Sequence, residues 1–297
     1  MKIPQHGLTN EHLLILSLTR RCNLACKYCK PESGFTYDKL SSSVKKKSYS
    51  DENFYALREL CKKINVTEVV LTGGEPTEYE DFFKIIRFFM NNKITFSIHT
   101  NGTSEKWNAV LDFLKSHKLL LNIDISIELF DELQKEIRGS DIPYRLIKNL
   151  TNIGCNVNLK VTIHNKLLPY VDDLENALNK YLVLGVKSIR IQPVFFPKNI
   201  SDALKLTKES SKIFKKFLDL KQLEKFSSFI RNSTESLLLI IDFLQYADMS
   251  RIKKVHCSAK DKVVFMGPDG KIINCLELWN KKSCAQGFDL ACCCFII

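Results

Sequence analysis

Three cysteines, Cys22, Cys26 and Cys29, are the strongest chemical signal in this sequence of 297 residues. They form a CxxxCxxC pattern directly after an apolar run, so one short loop can turn all three sulfurs toward a single metal centre. A cubane iron–sulfur cluster usually takes four cysteines. With three, the fourth iron stays open to a non-protein ligand, and an open coordination position is typical of a catalytic metal site. A zinc site completed by a distant Cys or His is the alternative.

A second motif, Gly73-Gly74-Glu75-Pro76, follows the apolar run Val69-Val70-Leu71. Two glycines at a strand end allow the backbone to approach a ligand closely, because no Cβ stands in the way. The Glu75 carboxylate can accept a hydrogen bond from an ammonium group. The motif therefore predicts a turn that binds a ligand.

Short apolar runs that alternate with helical patterns must position these motifs. Six strands are predicted before residue 195: His12–Leu18, Glu68–Leu71, Ile94–His99, Leu121–Ile127, Asn156–Ile163 and Ser188–Gln192. Between them, apolar residues recur at helical spacing, as in Phe82, Ile85, Ile86 and Phe89. Strand–helix alternation favours a parallel sheet, and a closed eight-unit barrel takes about 250 residues. We therefore predict an α/β fold, a partial (βα)6 TIM-like barrel whose strand ends face the active site.

The sequence pattern changes after residue 195. Residues 201–220 and 223–246 have the patterns of two helices. The turn Gly267-Pro268-Asp269-Gly270 lies between two short apolar runs, which predicts a β-hairpin. We therefore predict a barrel over residues 1–195, a helical bridge over 196–255 and a small cysteine-rich β-hairpin domain over 256–297.

The cysteine content supports metal or redox chemistry. The chain has 11 cysteines, an odd number, and its N-terminus lacks the apolar segment of a secretory signal. A cytoplasmic location is therefore expected, where disulfide frameworks are rare. No apolar run approaches the roughly 18 residues that a membrane span requires.

The charge is strongly positive, with 44 Lys and Arg against 33 Asp and Glu, a net charge of +11. The basic residues are spread along the chain, so we do not expect a nucleic-acid partner. A non-catalytic zinc protein that binds nucleic acid is the alternative from another functional class. This alternative assigns no function to the GGEP motif.

The cysteine motif, with Tyr28 before its last cysteine, resembles the signature of the radical S-adenosylmethionine (SAM) superfamily, and so does GGEP. The resemblance extends from Leu13 to Val194. It implies that Cys22, Cys26 and Cys29 hold a catalytic [4Fe–4S] cluster. It also implies SAM as cofactor, which an electron from the cluster cleaves to a radical that abstracts hydrogen from a substrate.

The same resemblance implies cofactor contacts for six residues at strand ends: Gly73, Gly74, Glu75, Asn101, Ser126 and Arg138. The GGE residues would hold the amino group of the methionine part of SAM. The other three would contact its ribose or carboxylate. His164, at the end of the fifth predicted strand, either faces the cavity or is a structural histidine.

The C-terminal cysteines resemble the start of the auxiliary-cluster domains called SPASM and Twitch. Cys257 and Cys275 flank the predicted hairpin in a CxₙGxxxxC pattern, and Cys284 follows. The resemblance implies a second iron–sulfur cluster held by these three cysteines and by one or more of Cys292, Cys293 and Cys294. The full SPASM cysteine run is absent, so a truncated domain is expected, and a degenerate site or buried cysteines are the alternatives.

Within the superfamily, the sequence resembles both the cyclic pyranopterin synthases and the peptide- and sulfatase-modifying enzymes. The predicted function is that of a maturase that modifies a peptide or protein side chain. A nucleotide rearrangement like that of the pyranopterin synthases and a tRNA modification are the alternatives. The expected partners are a peptide or protein substrate and a low-potential electron donor such as flavodoxin or ferredoxin.

Overall fold

The computed structural model describes residues 12–29, 51–194, 201–246, 263–268, 270 and 272–274. The described chain divides into two compact units. The first contains residues 12–23, 51–100 and the segment from 263 to 274, and the second contains 24–29, 101–194 and 201–246. The predicted boundaries at residues 195 and 255 stay predictions.

Strands and helices alternate along the chain as predicted. The strands are β1 (His12–Ser17), β2 (Val66–Thr72), β3 (Thr95–Thr100), β4 (Asn122–Ile127), β5 (Asn156–Ile163), β6 (Ser188–Pro193), β7 (Val263–Met266) and β8 (Ile272–Asn274). The longer helices are α1 (Asp51–Lys63), α2 (Phe82–Asn91), α3 (Trp107–Ser116), α4 (Tyr144–Asn152), α5 (Leu174–Val183), α6 (Ser211–Gln222) and α7 (Thr234–Tyr246). Each of the six strands predicted before residue 195 is confirmed within two residues at either end.

The first unit contains strands in the order β3-β2-β1-β7-β8. Strand β1 pairs in parallel with β2 on one side and with β7 on the other. The predicted hairpin is confirmed, since β7 and β8 are antiparallel, and through β1 it extends the sheet. Helix α2 buries the four apolar side chains whose spacing predicted it: Phe82, Ile85, Ile86 and Phe89.

The second unit contains three parallel strands in the order β6-β5-β4. Side chains alternate between two faces of these strands. One face is apolar and fully buried, as Ile123, Ile125 and Ile127 show on β4. The opposite face, which we call the polar face, contains Asp124, Ser126, Asn158, Lys160, Thr162, Ser188, Arg190 and Gln192.

The prediction of one helix over residues 201–220 is wrong in its first half. Two 3₁₀ turns, Asp202–Leu204 and Lys208–Ser210, precede α6. The backbone N–H of Thr207 donates to the Ser210 hydroxyl at 2.9 Å, which forms part of a capping box. Side-chain hydrogen bonds of this kind start a new helical turn instead of continuing an old one.

The prediction of a second helix over residues 223–246 is also wrong in part, because the helix begins at Thr234. A short helix, Glu224–Ser227, comes first, and the segment between it and α7 extends along the edge of β6. The backbone N–H of Arg231 donates to the Ile189 carbonyl at 2.9 Å. The Asn232 side chain bonds both the N–H and the carbonyl of Ile191 at 2.8 Å. Sheet pairing therefore overrides the local helical pattern here.

No helix in the described part of the chain is long and apolar enough to cross a membrane.

Candidate active site

The cysteine loop makes a tight turn at its C-terminal end. The backbone N–H of Cys29 donates to the Cys26 carbonyl at 3.0 Å, and the N–H of Lys27 donates to the Ile137 carbonyl at 2.9 Å. Both thiols are half-buried and neither is in a disulfide. Cys22 is also half-buried and lies in the first unit, whereas Cys26 and Cys29 lie in the second.

The surroundings of the turn control the charge of its two thiols. Burial raises the pKa of Cys29 to about 12, with Cys26 adding to the rise and the Arg138 guanidinium opposing it. Burial also raises the pKa of Cys26, and Arg138 again opposes the rise while Glu128 adds to it. Both thiols are therefore protonated in the metal-free chain, and metal binding would release their protons.

The donor set fits an iron–sulfur cluster. Thiolates are the ligands that such clusters take, and a nearby guanidinium compensates the negative charge that metal binding exposes. Among the described residues, no group of three or more His, Cys, Asp and Glu side chains is arranged to hold a single metal ion. A cubane does not require that arrangement, because each of its thiolates binds a different iron.

The GGEP turn is joined to the segment that leads into the cysteine loop. The backbone N–H of Gly74 donates to the Thr19 carbonyl at 2.7 Å, and that of Glu75 donates to the Arg21 carbonyl at 2.8 Å. A Cβ on Gly74 would lie 2.2 Å from the Arg21 carbonyl oxygen. The missing side chain thus makes room for neighbouring backbone, a role that the motif alone does not reveal.

We expect Gly74→Ala to lower the free energy of unfolding by about 3 kcal/mol, because the Cβ would clash with backbone atoms of Arg20 and Arg21, which cannot rotate away as a side chain can. Urea denaturation of the metal-free chain measures this change. Gly139→Ala is the matched control, since its φ is +71° and its Cβ would meet nothing within 4 Å. It should cost only about 1 kcal/mol of left-handed strain. Equal losses in the two variants would contradict the packing role of Gly74.

Glu75 is fully buried, and its carboxylate organises the turn. Its Oε1 accepts hydrogen bonds from the Thr77 hydroxyl at 2.7 Å and from the Thr100 hydroxyl at 2.8 Å. The backbone N–H of Thr77 donates to the same oxygen at 3.4 Å. Glu75 therefore connects the ends of β2 and β3, both of which lie in the first unit.

Two of the other predicted cofactor residues lie at the ends of β3 and β4. The Asn101 side-chain oxygen accepts bonds from the N–H and the hydroxyl of Thr103, both at 2.8 Å, so Asn101 forms a local turn. Ser126 is half-buried on the polar face, in register with Lys160 of β5. The contacts of Asn101 and Ser126 with a cofactor stay predictions.

Arg138, the last predicted cofactor residue, belongs to a buried network centred on Glu128. The carboxylate of Glu128 accepts bonds from Tyr28 Oη at 2.5 Å, Arg138 Nε at 2.9 Å and His164 Nε2 at 3.0 Å. The Glu128 N–H donates to the Gln134 side chain at 2.8 Å. Burial by itself would lower the pKa of Arg138, but the facing Tyr28 and Glu128 raise it overall. The sequence signal for Glu128 is only its place just after β4.

A basic cluster, which the sequence motifs do not predict, consists of Lys160 and Arg190 on the polar face and Arg231 beside β6. Burial lowers the pKa of Lys160, the nearby Asp124 opposes this effect, and the charges of Arg190 and Arg231 add to it. Lys160 Nζ lies 3.2 Å from the Asp124 carboxylate. Burial and Arg231 likewise lower the pKa of Arg190. Lys160, Arg190 and Arg231 are thus close enough for their charges to influence one another, and Asp124 lies near the first two. The alternation of polar and apolar residues in β4, β5 and β6 is the signal that predicts this face.

Comparison with known proteins relates the chain to one family. Residues 16–191 match the family described as the Radical SAM superfamily. A GTP 3',8-cyclase of Campylobacter fetus is 27% identical over 295 residues, which are 95% of this chain and 85% of that protein. A GTP 3',8-cyclase of Campylobacter lari is 26% identical over 180 residues, which are 59% of this chain and 52% of that protein. The match thus spans about half the length of the latter protein.

A solved structure shares the fold. Streptococcus suis SuiB bound to S-adenosylmethionine has a TM-score of 0.64 at 15% identity, over 95% of this chain and 65% of that chain. The same protein has also been solved with its precursor peptide SuiA, with a TM-score of 0.60 at 16% identity, over 93% of this chain and 62% of that chain. At this identity the likeness concerns the fold alone, and it confirms the predicted α/β partial TIM-like barrel.

Proposed function

Because the chain belongs to the radical SAM superfamily, whose members use a [4Fe–4S] cluster and SAM, we propose that it is an enzyme that abstracts hydrogen from a phosphorylated nucleotide. In this proposal Cys22, Cys26 and Cys29 hold the cluster. When bound, the cluster and SAM supply the one-electron chemistry, and a low-potential donor such as flavodoxin or ferredoxin supplies the electron. The protein contributes binding, orientation and exclusion of water.

The residues of the chain have distinct roles in this proposal. Gly73 and Gly74 bring the GGEP turn against the segment before the cysteine loop, and Glu75 offers a carboxylate to the ammonium group of SAM. In this proposal Asn101 and Ser126 contact the rest of the cofactor, and the predicted cofactor contact of Arg138 stays a prediction. These assignments follow the family resemblance, and the backbone hydrogen bonds of Gly74 and Glu75 support the position of the GGEP turn beside that segment.

The basic cluster is the observation that carries the choice of substrate. Lys160 and Arg190 project from the polar face of adjacent parallel strands, at positions that are directly in register. Arg231 adds a third positive charge, which lowers the pKa of both Lys160 and Arg190. Concentrated positive charge in a partly buried site favours a polyanion, and arginine matches phosphate geometry well. A nucleoside triphosphate has this chemistry.

The relatives point to the same substrate class. The Campylobacter fetus protein, which matches almost the whole chain in sequence, is named for its action on GTP. The likeness to SuiB, a protein solved with a peptide, is one of fold. We therefore propose GTP as the substrate to test first. The predicted action on a peptide or protein side chain stays a prediction and is the competing outcome.

The test is GTP binding by the anaerobically reconstituted full chain, measured by isothermal titration calorimetry without reductant. We expect Arg190→Ala to raise the dissociation constant for GTP roughly tenfold or more, since a charge-assisted hydrogen bond to phosphate is lost. Arg58→Ala, which removes an exposed arginine from α1, is the matched control and should bind as the wild type does.

Two results would overturn the nucleotide proposal. One is equal affinity for GTP in the wild type and Arg190→Ala. The other is formation of 5'-deoxyadenosine that a peptide stimulates and GTP does not, which would favour the maturase prediction.

A further inference from the structure

We propose that Glu128 is a positioning residue, which holds Tyr28 and thereby the Cys26–Cys29 turn, and whose charge balances that of Arg138 beside these thiolates. This inference rests on the proposed cluster ligands. It assigns Glu128 to the support of the cluster and not to the binding of SAM or substrate.

Glu128 has the burial and the partners that such a role requires. Only 1% of Glu128 is exposed, and Arg138 and His164 are 5% and 0% exposed. One carboxylate oxygen accepts from both Tyr28 and Arg138, while the other accepts from His164. A buried carboxylate with three side-chain donors has little freedom, so it fixes its donors in turn.

Tyr28 is held on its ring as well as by its hydroxyl. The Arg138 guanidinium lies 5.4 Å from the centre of the Tyr28 ring, and the His164 ring centre lies 6.2 Å away. The ring packs against a buried apolar cluster of Ile137, Val194 and Leu204, and Leu206 packs against the same cluster. Since Tyr28 stands between the two cysteines, these contacts fix the turn from its centre.

The chain after β4 is shaped to bring Arg138 to this position. Residues Gln134–Arg138 form a π-helical turn, a rare conformation that is common at functional sites. Gln134 accepts the N–H of Glu128 and donates to the Ser140 hydroxyl at 3.1 Å. Gly139, with φ of +71°, ends the turn. The turn therefore closes around Glu128 and directs the Arg138 side chain back to it.

His164 fits the same interpretation. Its Nε2 faces the Glu128 carboxylate, and its Nδ1 is buried without a hydrogen-bond partner among the described residues. Nε2 therefore provides the third side-chain contact to Glu128, and the Glu128 carboxylate lies 2.9 Å from Arg138 Nε in a buried ion pair.

The charges of Glu128 and Arg138 have opposite electrostatic effects on the Cys26 and Cys29 thiolates. Both charges lie beside the Cys26–Cys29 turn, since the Arg138 guanidinium is 5.4 Å from the centre of the Tyr28 ring and the Glu128 carboxylate accepts from the Tyr28 hydroxyl. A nearby cation stabilises a thiolate, and a nearby carboxylate destabilises it. If Glu128 becomes neutral, the charge of Arg138 remains, since a guanidinium cannot lose its proton in a protein. The unbalanced positive charge would favour the addition of an electron to a bound cluster.

The test uses the midpoint potential of the reconstituted cluster, from a redox titration followed by electron paramagnetic resonance. We expect a higher potential in Glu128→Gln, and a return toward the wild-type value when Arg138→Gln is added to it. Glu136→Gln is the matched control. It removes an exposed carboxylate that bridges Lys27 and Lys166 near the same turn. The midpoint potential of the cluster in this variant should equal that of the wild type.

A second measurement covers the possibility that Glu128→Gln does not fold. Tyr28→Phe removes only the hydroxyl, so it keeps both charges, and we expect iron loss to a chelator roughly tenfold faster than in the wild type. A wild-type chain without iron would refute the proposed ligands instead. The inference itself is overturned if Tyr28→Phe keeps its iron as the wild type does, or if Glu128→Gln has the potential of Glu136→Gln.

Discussion

Cys26→Ala is expected to abolish formation of 5'-deoxyadenosine from SAM in the anaerobically reconstituted chain. A thiolate is a soft ligand that alanine cannot replace, and a cubane with two protein ligands left is not held in place. The measurements are iron and sulfide per chain, together with 5'-deoxyadenosine after chemical reduction. Activity should fall to the background of the cluster-free protein.

Cys61→Ala is the matched control. Cys61 is likewise half-buried, and burial raises its pKa to about 11, but it lies on α1. Its replacement should leave both iron content and cofactor cleavage unchanged. Normal product formation by Cys26→Ala would remove the cluster assignment at Cys22, Cys26 and Cys29.

The same iron measurement addresses the predicted auxiliary cluster. Cys257, Cys275 and Cys284 lie outside the described residues, so the SPASM- or Twitch-like site stays a prediction. About four irons per wild-type chain would indicate one cubane, and about eight would indicate two. In the second case, Cys26→Ala should retain roughly half of the iron.

Much of the fold could be predicted from sequence because its signals are local. Each of the first six strands is a short apolar run, and α2 has apolar residues at helical spacing. The cysteine loop and GGEP are contiguous motifs whose chemistry follows from residue type alone. Helices α6 and α7 were predicted to begin too early, because the capping of Thr207 and the pairing of Asn232 with β6 involve competing hydrogen bonds.

The rest of the site could not be predicted because it depends on contacts between distant residues. Tyr28 and Glu128 are 100 positions apart in sequence and 2.5 Å apart in space. Lys160 and Arg190 become neighbours only when the register of β5 and β6 is known. A charge of +11 gives no information about where the positive side chains converge, and the parallel sheet decides that.

Glu75→Gln should weaken SAM binding by roughly tenfold to a hundredfold while leaving the fold intact. The glutamine keeps a carbonyl oxygen for the hydroxyls of Thr77 and Thr100, so the turn retains its acceptor. It loses the negative charge that the ammonium group of SAM would meet. A hydrogen bond to a charged group contributes about 1.5–3 kcal/mol, which corresponds to that range of affinity.

Comparison of Glu75→Gln with Glu75→Ala separates the role in binding from the role in structure. Alanine removes the acceptor of two buried hydroxyls, and leaving such groups unsatisfied costs about 1–3 kcal/mol each, so the alanine variant should also unfold at lower urea. The measurements are equilibrium binding of SAM to the reconstituted chain and urea denaturation. Unchanged SAM affinity in a stable, iron-loaded Glu75→Gln would show that this carboxylate serves only the turn. Reduced SAM affinity of Glu75→Gln at unchanged stability would assign the charge to the cofactor, because this variant keeps an acceptor for the hydroxyls of Thr77 and Thr100.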